Sequence, residues 1–412
     1  MDFSPSDRVA ELRERVRSFM AEHVMPVEDE AMRALDAEVG PGVAYPALLI
    51  DLRERAKAEG LWNLFLPDEE HGPGLTNWEY GLLCEDMGRS PVAPMVFNCS
   101  APDTGNMEIL AEYGTPEQKD RWLAPLLDAH ARSCFSMTEP ATSGSDPTGL
   151  AARAELRGDA RSGAGEWVID GHKWFTSGYN GADVAIVMLV TDPDAAPHKR
   201  ASMILVPIDT PGFTGVRPVP VMGHSAGPGH WEVTYEDVRV PEANLLGPRG
   251  DGFSIAQARL GPGRIHHCMR AIGSAERAFE LMCERALSRE TFGEPLASKQ
   301  FVQEFVATSR IEIDAARLMV LHAAWKMDTE GKRAARQQIS MIKVVAAQMH
   351  QDVCDRAMQV HGALGMSDDI PLAAMWRQGR WLRIADGPDE VHKQSIARRE
   401  LSRFKPRDPV EA

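Results

Sequence analysis

The chain has 412 residues, 43% of them apolar and 25% charged, with 45 basic against 60 acidic side chains and a net charge of −15. At about 150 residues per domain this length implies two or three domains or one composite unit, and the apolar content excludes a largely disordered polymer. The acidic balance removes any global electrostatic reason to bind nucleic acid or an anionic membrane, and the most apolar window, Val184–Val190, falls far short of the ~20 residues a bilayer span needs.

The N-terminus, Met1-Asp2-Phe3-Ser4-Pro5, lacks a basic stretch followed by an apolar one. The six cysteines are scattered, with no C-x-x-C pair. Both features lead us to expect reduced thiols and a cytoplasmic location.

The first 130 residues carry a helical pattern. Val9, Leu12, Val16, Phe19, Met20 and Val24 step by three and four and share one face, with Ser6 placed as an N-cap. Further helices are predicted over 48–60, 77–88, 102–113 and 116–128, the last opening on Thr115-Pro116-Glu117. From 131 to about 246 the period changes to two. Leu150, Ala152, Ala154 and Leu156 alternate with polar neighbours, as do Trp231, Val233 and Tyr235; short apolar runs at 184–190 and 202–206 are bounded by turn residues. After Gly263 long apolar stripes return, one from Val302 to Ala323 and one from Ile342 to Ala357. The predicted class is α+β: an N-terminal helical domain (1–130), a small central antiparallel β-barrel or sandwich (131–246), and a C-terminal helical bundle that also oligomerises (247–412).

Several motifs need weighing. Gly223-His224-Ser225-Ala226-Gly227 has the G-x-S-x-G spacing of a nucleophile elbow, but Pro228-Gly229 and a strand pattern follow where a helix is required. His266-His267-Cys268 cannot converge on one ion, because helical neighbours point about 100° apart, and the His350/Cys354 pair lacks further ligands nearby. No metal is expected. Asp386-Gly387-Pro388-Asp389-Glu390 breaks a helical pattern and admits two readings: a solvated acidic loop capping the next helix, or, at Asp386, a desolvated carboxylate able to act as a general base.

Taken together, Phe135-Ser136-Met137-Thr138-Glu139-Pro140 with Ser143-Gly144-Ser145-Asp146, Asp170-Gly171-His172-Lys173-Trp174-Phe175-Thr176, Arg289-Glu290-Thr291-Phe292-Gly293 with Gln300, and Gln359-Val360-His361-Gly362-Ala363-Leu364-Gly365 resemble the acyl-CoA dehydrogenase family of flavoproteins, in order along nearly the whole chain. The stretches 264–270 and 385–392 are similar to the branch numbered ten and eleven among mammalian members, with aspartate where most of the family has glutamate.

The resemblance implies bound FAD. It sets Phe135, Ser136, Met137, Thr138, Gly144 and Ser145 along the cofactor, Thr138 and Thr176 at the isoalloxazine edge, Trp174 beside the ring, and Arg289 on the pyrophosphate. Phe292, Pro388, Asp389 and Glu390 are also assigned to FAD, while Gln300, Gln359, Val360, His361, Gly362 and Ala363 would reach it from a neighbouring subunit of a homotetramer or homodimer. Asp386 would remove the α-proton of an acyl-CoA while the β-hydrogen leaves as hydride. Ser145, Arg264, His266, His267 and Gly387 would line the acyl-CoA site, and Ala385 would widen it. An electron-transferring flavoprotein would accept the electrons. Two other readings stand beside this one: a nitroalkane-oxidase-like flavoprotein using the same aspartate, and a non-catalytic scaffold of the same fold.

Overall fold

The computed structural model describes residues 4–158, 165–225 and 229–404. Among these, 4–18, 76–91 and 264–404 form one compact unit, mainly helical, and 19–75 with 92–263 form a second that carries the main sheet.

The first helix, α1, spans Asp7–Phe19 and runs on through a π-helical turn at Met20–Val24. Its periodic residues Val9, Leu12 and Val16 are buried, and Ser6 Oγ accepts from the Val9 N–H at 3.4 Å, the capping role its position suggested. The sheet-bearing unit contains α2 (Glu28–Glu38), α3 (Ala47–Ala58), α5 (Ala93–Val96), α6 (Asp103–Tyr113), α7 (Pro116–Gln118) and α8 (Ala124–Leu127), α4 belonging to the other unit. Thr115 opens α7 through a reciprocal capping box with Gln118, and a π-helical turn at Lys119–Leu123 joins α7 to α8 across the segment predicted as one helix.

The sheet strands are β1 (Ser133–Ser136), β2 (Arg153–Arg157), β3 (Glu166–Ser177), β4 (Val184–Val190), β5 (Ala201–Pro207), β6 (Phe213–Pro218), β7 (His230–Pro241) and β8 (Leu245–Leu246). They follow the order β6-β7-β3-β1-β4-β5-β8, with β2 set against β3 and β4. Among the described residues the end strands β6 and β8 do not pair with each other, so where the alternation suggested a barrel or sandwich the structure has an open sheet. Its pairing is antiparallel except where β4 runs parallel to β1 and, at one position, to β2. Every residue of β4 is buried, which is why Val184–Val190 reads as an uninterrupted apolar run rather than an alternation. Trp167, Val187, Ile204, Val233 and Tyr235 stand at the centre of the core on this sheet.

The helical unit contains α4 (Asn77–Gly88), α10 (Gln300–Glu330), α11 (Lys332–His361), α12 (Leu372–Leu382) and α13 (Asp389–Ser402), with a hairpin of β9 (Glu290–Thr291) and β10 (Glu294–Pro295). Helix α9 spans Gly252–Ser288 and carries Pro262 inside it, so Gly261-Pro262-Gly263 is not the helix start that its breaker composition suggested. The N-terminus of α4 is fixed twice, by the Thr76–Glu79 capping box and by the Asp328 carboxylate, which accepts from the Asn77 and Trp78 N–H groups at 3.0 and 2.8 Å.

Helices α4 and α9 touch backbone to backbone. A Cβ built on Gly273 would overlap the Glu85 carbonyl oxygen, and one on Gly88 would overlap Arg270. The replacement Gly273→Ala should therefore lower stability by about 1–3 kcal/mol despite alanine's better helix propensity. Urea denaturation of the two proteins checks this, and an unchanged midpoint would refute the close crossing.

Candidate active site

The loop between α12 and α13 is built to display one carboxylate. After α12 the Ile384 and Ala385 N–H groups both turn back to the Trp381 carbonyl, at 2.8 and 2.9 Å. Asp386 and Gly387 then take φ of 56° and 100°, a reversal that aspartate tolerates better than most residues and that suits glycine. At Gly387 the space is also closed, since a Cβ would meet His392 Nε2 at 2.9 Å. The neck of the loop is clasped. Buried Asp389 accepts from Arg383 Nε at 2.8 Å and its N–H returns to the Arg383 carbonyl, while Lys343 Nζ donates to the Leu382 carbonyl.

Within this turn the Asp386 carbonyl accepts from Arg264 Nε at 2.9 Å and from His392 Nε2 at 3.3 Å. A carbonyl only accepts, so His392 carries its proton on Nε2. Burial, reinforced by Arg264 and Lys343, pushes the His392 imidazole down to about 4, leaving it neutral near pH 7. Burial also pulls the Arg264 guanidinium down, and the Asp386 charge opposes that shift. The Asp386 carboxylate itself, with 23% of its side chain accessible, faces His267 Nε2 at 3.4 Å. Asp386 is therefore half-buried, its carbonyl held from α9 and α13 and its carboxylate facing α9, so it is not freely solvated.

The paired histidines part company here. His267 points toward Asp386, whereas His266, expected in the substrate site, turns inward: it is 4% exposed, lies edge-on to Tyr80 at 4.7 Å, and burial holds it well below the usual imidazole range. Cys268 is buried with its Sγ directed at the Ile342 carbonyl, and His350 bonds Ser274 at 2.9 Å, so neither forms a metal ligand set. Asp389, expected on the cofactor, is committed to Arg383, while Glu390 is exposed and half-buried Pro388 occupies the N-cap of α13.

A second feature of the helical unit is a cavity of about 450 Å³ lined by Arg285, Arg289, the β9 residues Glu290 and Thr291, and the 359–364 turn. It brings together Arg289, Gln359, Val360, His361, Gly362 and Ala363, which lie far apart in sequence. Gly365 lets the end of this turn pack on the Met358 backbone, where a Cβ would come within 2.6 Å of the carbonyl. Phe292 stands at the hairpin tip, 97% exposed, and Gln300 is exposed at the start of α10.

In the sheet-bearing unit Thr138 and Trp174 clasp one another. Trp174 N–H donates to the Thr138 carbonyl at 3.1 Å, and Thr138 Oγ1 donates to the Trp174 carbonyl at 2.8 Å. A bulge between Lys173 and Thr176, with Phe175 at φ 48°, turns Trp174 and Phe175 outward with their rings 5.1 Å apart. Beneath the clasp Lys173 Nζ, wholly buried, donates to the Met137 carbonyl (2.9 Å) and to Glu139 Oε1 (2.8 Å). The Ser136 and Thr176 hydroxyls are buried and bonded to each other, so their side chains serve the core. The Phe135 ring is half-buried under the Arg259 guanidinium, 4.1 Å from its centroid. Gly144 and Ser145 are exposed, Ser145 paired with Ser143. Ser225 lies in a loop ahead of β7; Ala226 and Gly227 of its motif, like Met1 to Phe3, lie outside the described residues.

Comparison with known proteins shows the family. Profiles of the acyl-CoA dehydrogenase N-terminal, middle and C-terminal domains match residues 6–130, 134–238 and 250–401. The chain belongs to the acyl-CoA dehydrogenase family. It is 52% identical to a probable acyl-CoA dehydrogenase, FadE2, of Mycobacterium tuberculosis, over 98% of each chain. It is 50% identical to acyl-CoA dehydrogenase family member 10 of Mus musculus, matching 96% of this chain but only 37% of that longer protein. A solved structure of a putative acyl-CoA dehydrogenase from Mycobacterium abscessus superposes with a TM-score of 0.91 at 49% identity, covering 97% of this chain and all of that one. The family consists of FAD-binding oxidoreductases, and the resemblance to its branch ten and eleven holds. No helix among the described residues is long and apolar enough to cross a membrane.

Arg270, His392 and Arg259 carried no assignment from sequence. The fold brings Arg259 to Phe135 and His392 to the Asp386 carbonyl, whereas Arg270 meets His267 at helical spacing.

Proposed function

We propose that the chain catalyses FAD-dependent α,β-dehydrogenation of an acyl-CoA thioester to the trans-2-enoyl-CoA. The observation that carries this reading is Asp386, half-buried in a left-handed turn whose carbonyl is pinned by Arg264 and His392. FAD suits the residues present. The Arg289 cavity offers a planar cation for a pyrophosphate, and the 173–176 bulge offers outward aromatic rings beside Thr138. When bound, FAD supplies the acceptor that takes the β-hydrogen with its electron pair.

The chain's own residues do the rest. Asp386 takes the substrate's α-proton onto its carboxylate, and the Arg264 and His392 contacts fix where that carboxylate sits. Arg264 and Gly387 border the acyl group, His267 lies against the Asp386 carboxylate, and Ser145 faces the CoA moiety. Gln300 and residues 359–363 complete the FAD site of a neighbouring subunit in a homo-oligomer. An electron-transferring flavoprotein reoxidises the enzyme.

Anaerobic titration of the FAD-loaded protein with acyl-CoAs of graded length tests the proposal. Bleaching of the flavin by a group of thioesters, with slow reoxidation by air, is the expected result. A flavin that stays oxidised with every thioester would overturn it, and reduction by nitroalkanes with rapid reoxidation would point to the oxidase.

A further inference from the structure

Arg270, one turn after His267 on α9, directs Nη2 at His267 Nδ1 over 3.1 Å. A guanidinium has donors and no acceptor, so Nδ1 must be the accepting, unprotonated nitrogen of a neutral imidazole. The ring proton is thereby confined to Nε2, the atom that faces Asp386 Oδ2 at 3.4 Å. The Trp381 ring lies near the imidazole in a T-shaped arrangement, with centroids 6.4 Å apart. We propose that His267, its tautomer fixed by Arg270, is a positioning residue for Asp386, its Nε2–H orienting the ionised carboxylate. The proposal rests on Asp386 being the base.

The arrangement has a direction. A proton on Nε2 and an Arg270 bond on Nδ1 leave the ring no lone pair for a proton from Asp386. His267 is therefore a donor that holds the charged base, and it does not relay the abstracted proton. Donation to an ionised carboxylate favours that form. Removing the donor should make Asp386 harder to ionise and leave its side chain free to rotate. The other charged or titratable groups turned toward this turn include Arg264 and Cys268 on α9, Lys343 on α11, Arg383 at the end of α12, and His392 and Asp389 on α13. All of them remain in the variants below.

The test is stopped-flow flavin reduction by a reactive acyl-CoA, followed against pH, for wild-type, His267→Phe, His267→Gln and Asp386→Asn holoenzymes. In His267→Phe the reduction rate constant should fall by about 10- to 100-fold and the acidic limb of its pH profile should move up by about one unit, with substrate Kd little changed. His267→Gln keeps an N–H donor and should recover much of both. A second readout needs no turnover: in 15N-histidine-labelled holoenzyme the His267 signal, identified by its loss in His267→Gln, should be that of a neutral ring protonated on Nε2.

Wild-type rates and an unmoved limb in His267→Phe, while Asp386→Asn is inactive, would overturn the positioning role and leave the base standing. A raised Kd with an unmoved limb would make His267 a substrate contact, and a ring protonated on Nδ1 would also refute the proposal. Normal reduction in Asp386→Asn would remove the parent reading instead.

Discussion

Asp386→Asn is expected to retain FAD and to bind acyl-CoA, yet to reduce its flavin at least 10²- to 10⁴-fold more slowly than the wild-type protein, the range general-base catalysis commonly supplies. The substitution is close to a pure loss of basicity. Asparagine shares aspartate's tolerance for a positive φ, so the turn at φ 56° is kept. Arg264 and His392 reach residue 386 through its backbone carbonyl, which the replacement does not touch. An amide oxygen can still accept from the His267 side. What disappears is the site that takes the α-proton. Mixing the reconstituted variant anaerobically with acyl-CoA measures this directly, and a reduction rate near wild type would exclude Asp386 as the base.

In the first 130 residues α1 was legible from its single buried face and its Ser6 cap, and α7 from its Thr115 cap, whereas α3 and α6 open on prolines without a side-chain cap. Helix α2 escaped because it buries little apolar surface, chiefly Ala31 and Leu35. The start of α9 was misplaced because Gly261-Pro262-Gly263 has the composition of a break, whereas Pro262 is accommodated inside the helix. Alternation revealed strands but not their order. An open path in which β1 lies beside β4 depends on long-range pairing that a period of two does not encode.

The site shows the same division. Asp386 was conspicuous as a carboxylate after an apolar helix end, whereas the Arg383 contact of Asp389, assigned to the cofactor from sequence, became visible only in the fold. His266 and His267 are chemically identical neighbours about 100° apart on a helix, so which one enters the core is decided by where α4 puts Tyr80. The direction of α4 depends in turn on the Gly88 and Gly273 crossing.

Lys173→Met should be the most destabilising single change in the sheet-bearing unit, by about 3–5 kcal/mol, because it strands a buried carboxylate. Glu139 is 3% exposed and accepts from the Ala151 and Ala152 N–H groups at 2.8 and 2.9 Å as well as from Lys173. With the ammonium gone, that carboxylate keeps only neutral donors, the Ala151 and Ala152 N–H groups and, at 3.4 Å, the Thr142 hydroxyl. The double variant Lys173→Met with Glu139→Gln removes both charges and should recover part of the loss, so the two changes are non-additive in a thermodynamic cycle. Burial also pushes the Lys173 ammonium down from 10.5 to about 8, with Glu139 opposing. Between those values the unfolded chain binds the proton and the folded chain does not, so this lysine makes wild-type stability rise with pH across that window. Lys173→Met should lack that rise. The effect reaches the edge proposed to hold FAD as well, since Lys173 holds the Met137 carbonyl one residue before the Thr138–Trp174 clasp. FAD should therefore dissociate more readily from Lys173→Met at temperatures where the protein is still folded. Urea denaturation of the four proteins of the cycle, with FAD release followed by flavin fluorescence, checks both. A stability loss under about 0.5 kcal/mol would show that the buried pair is not what holds this edge in place.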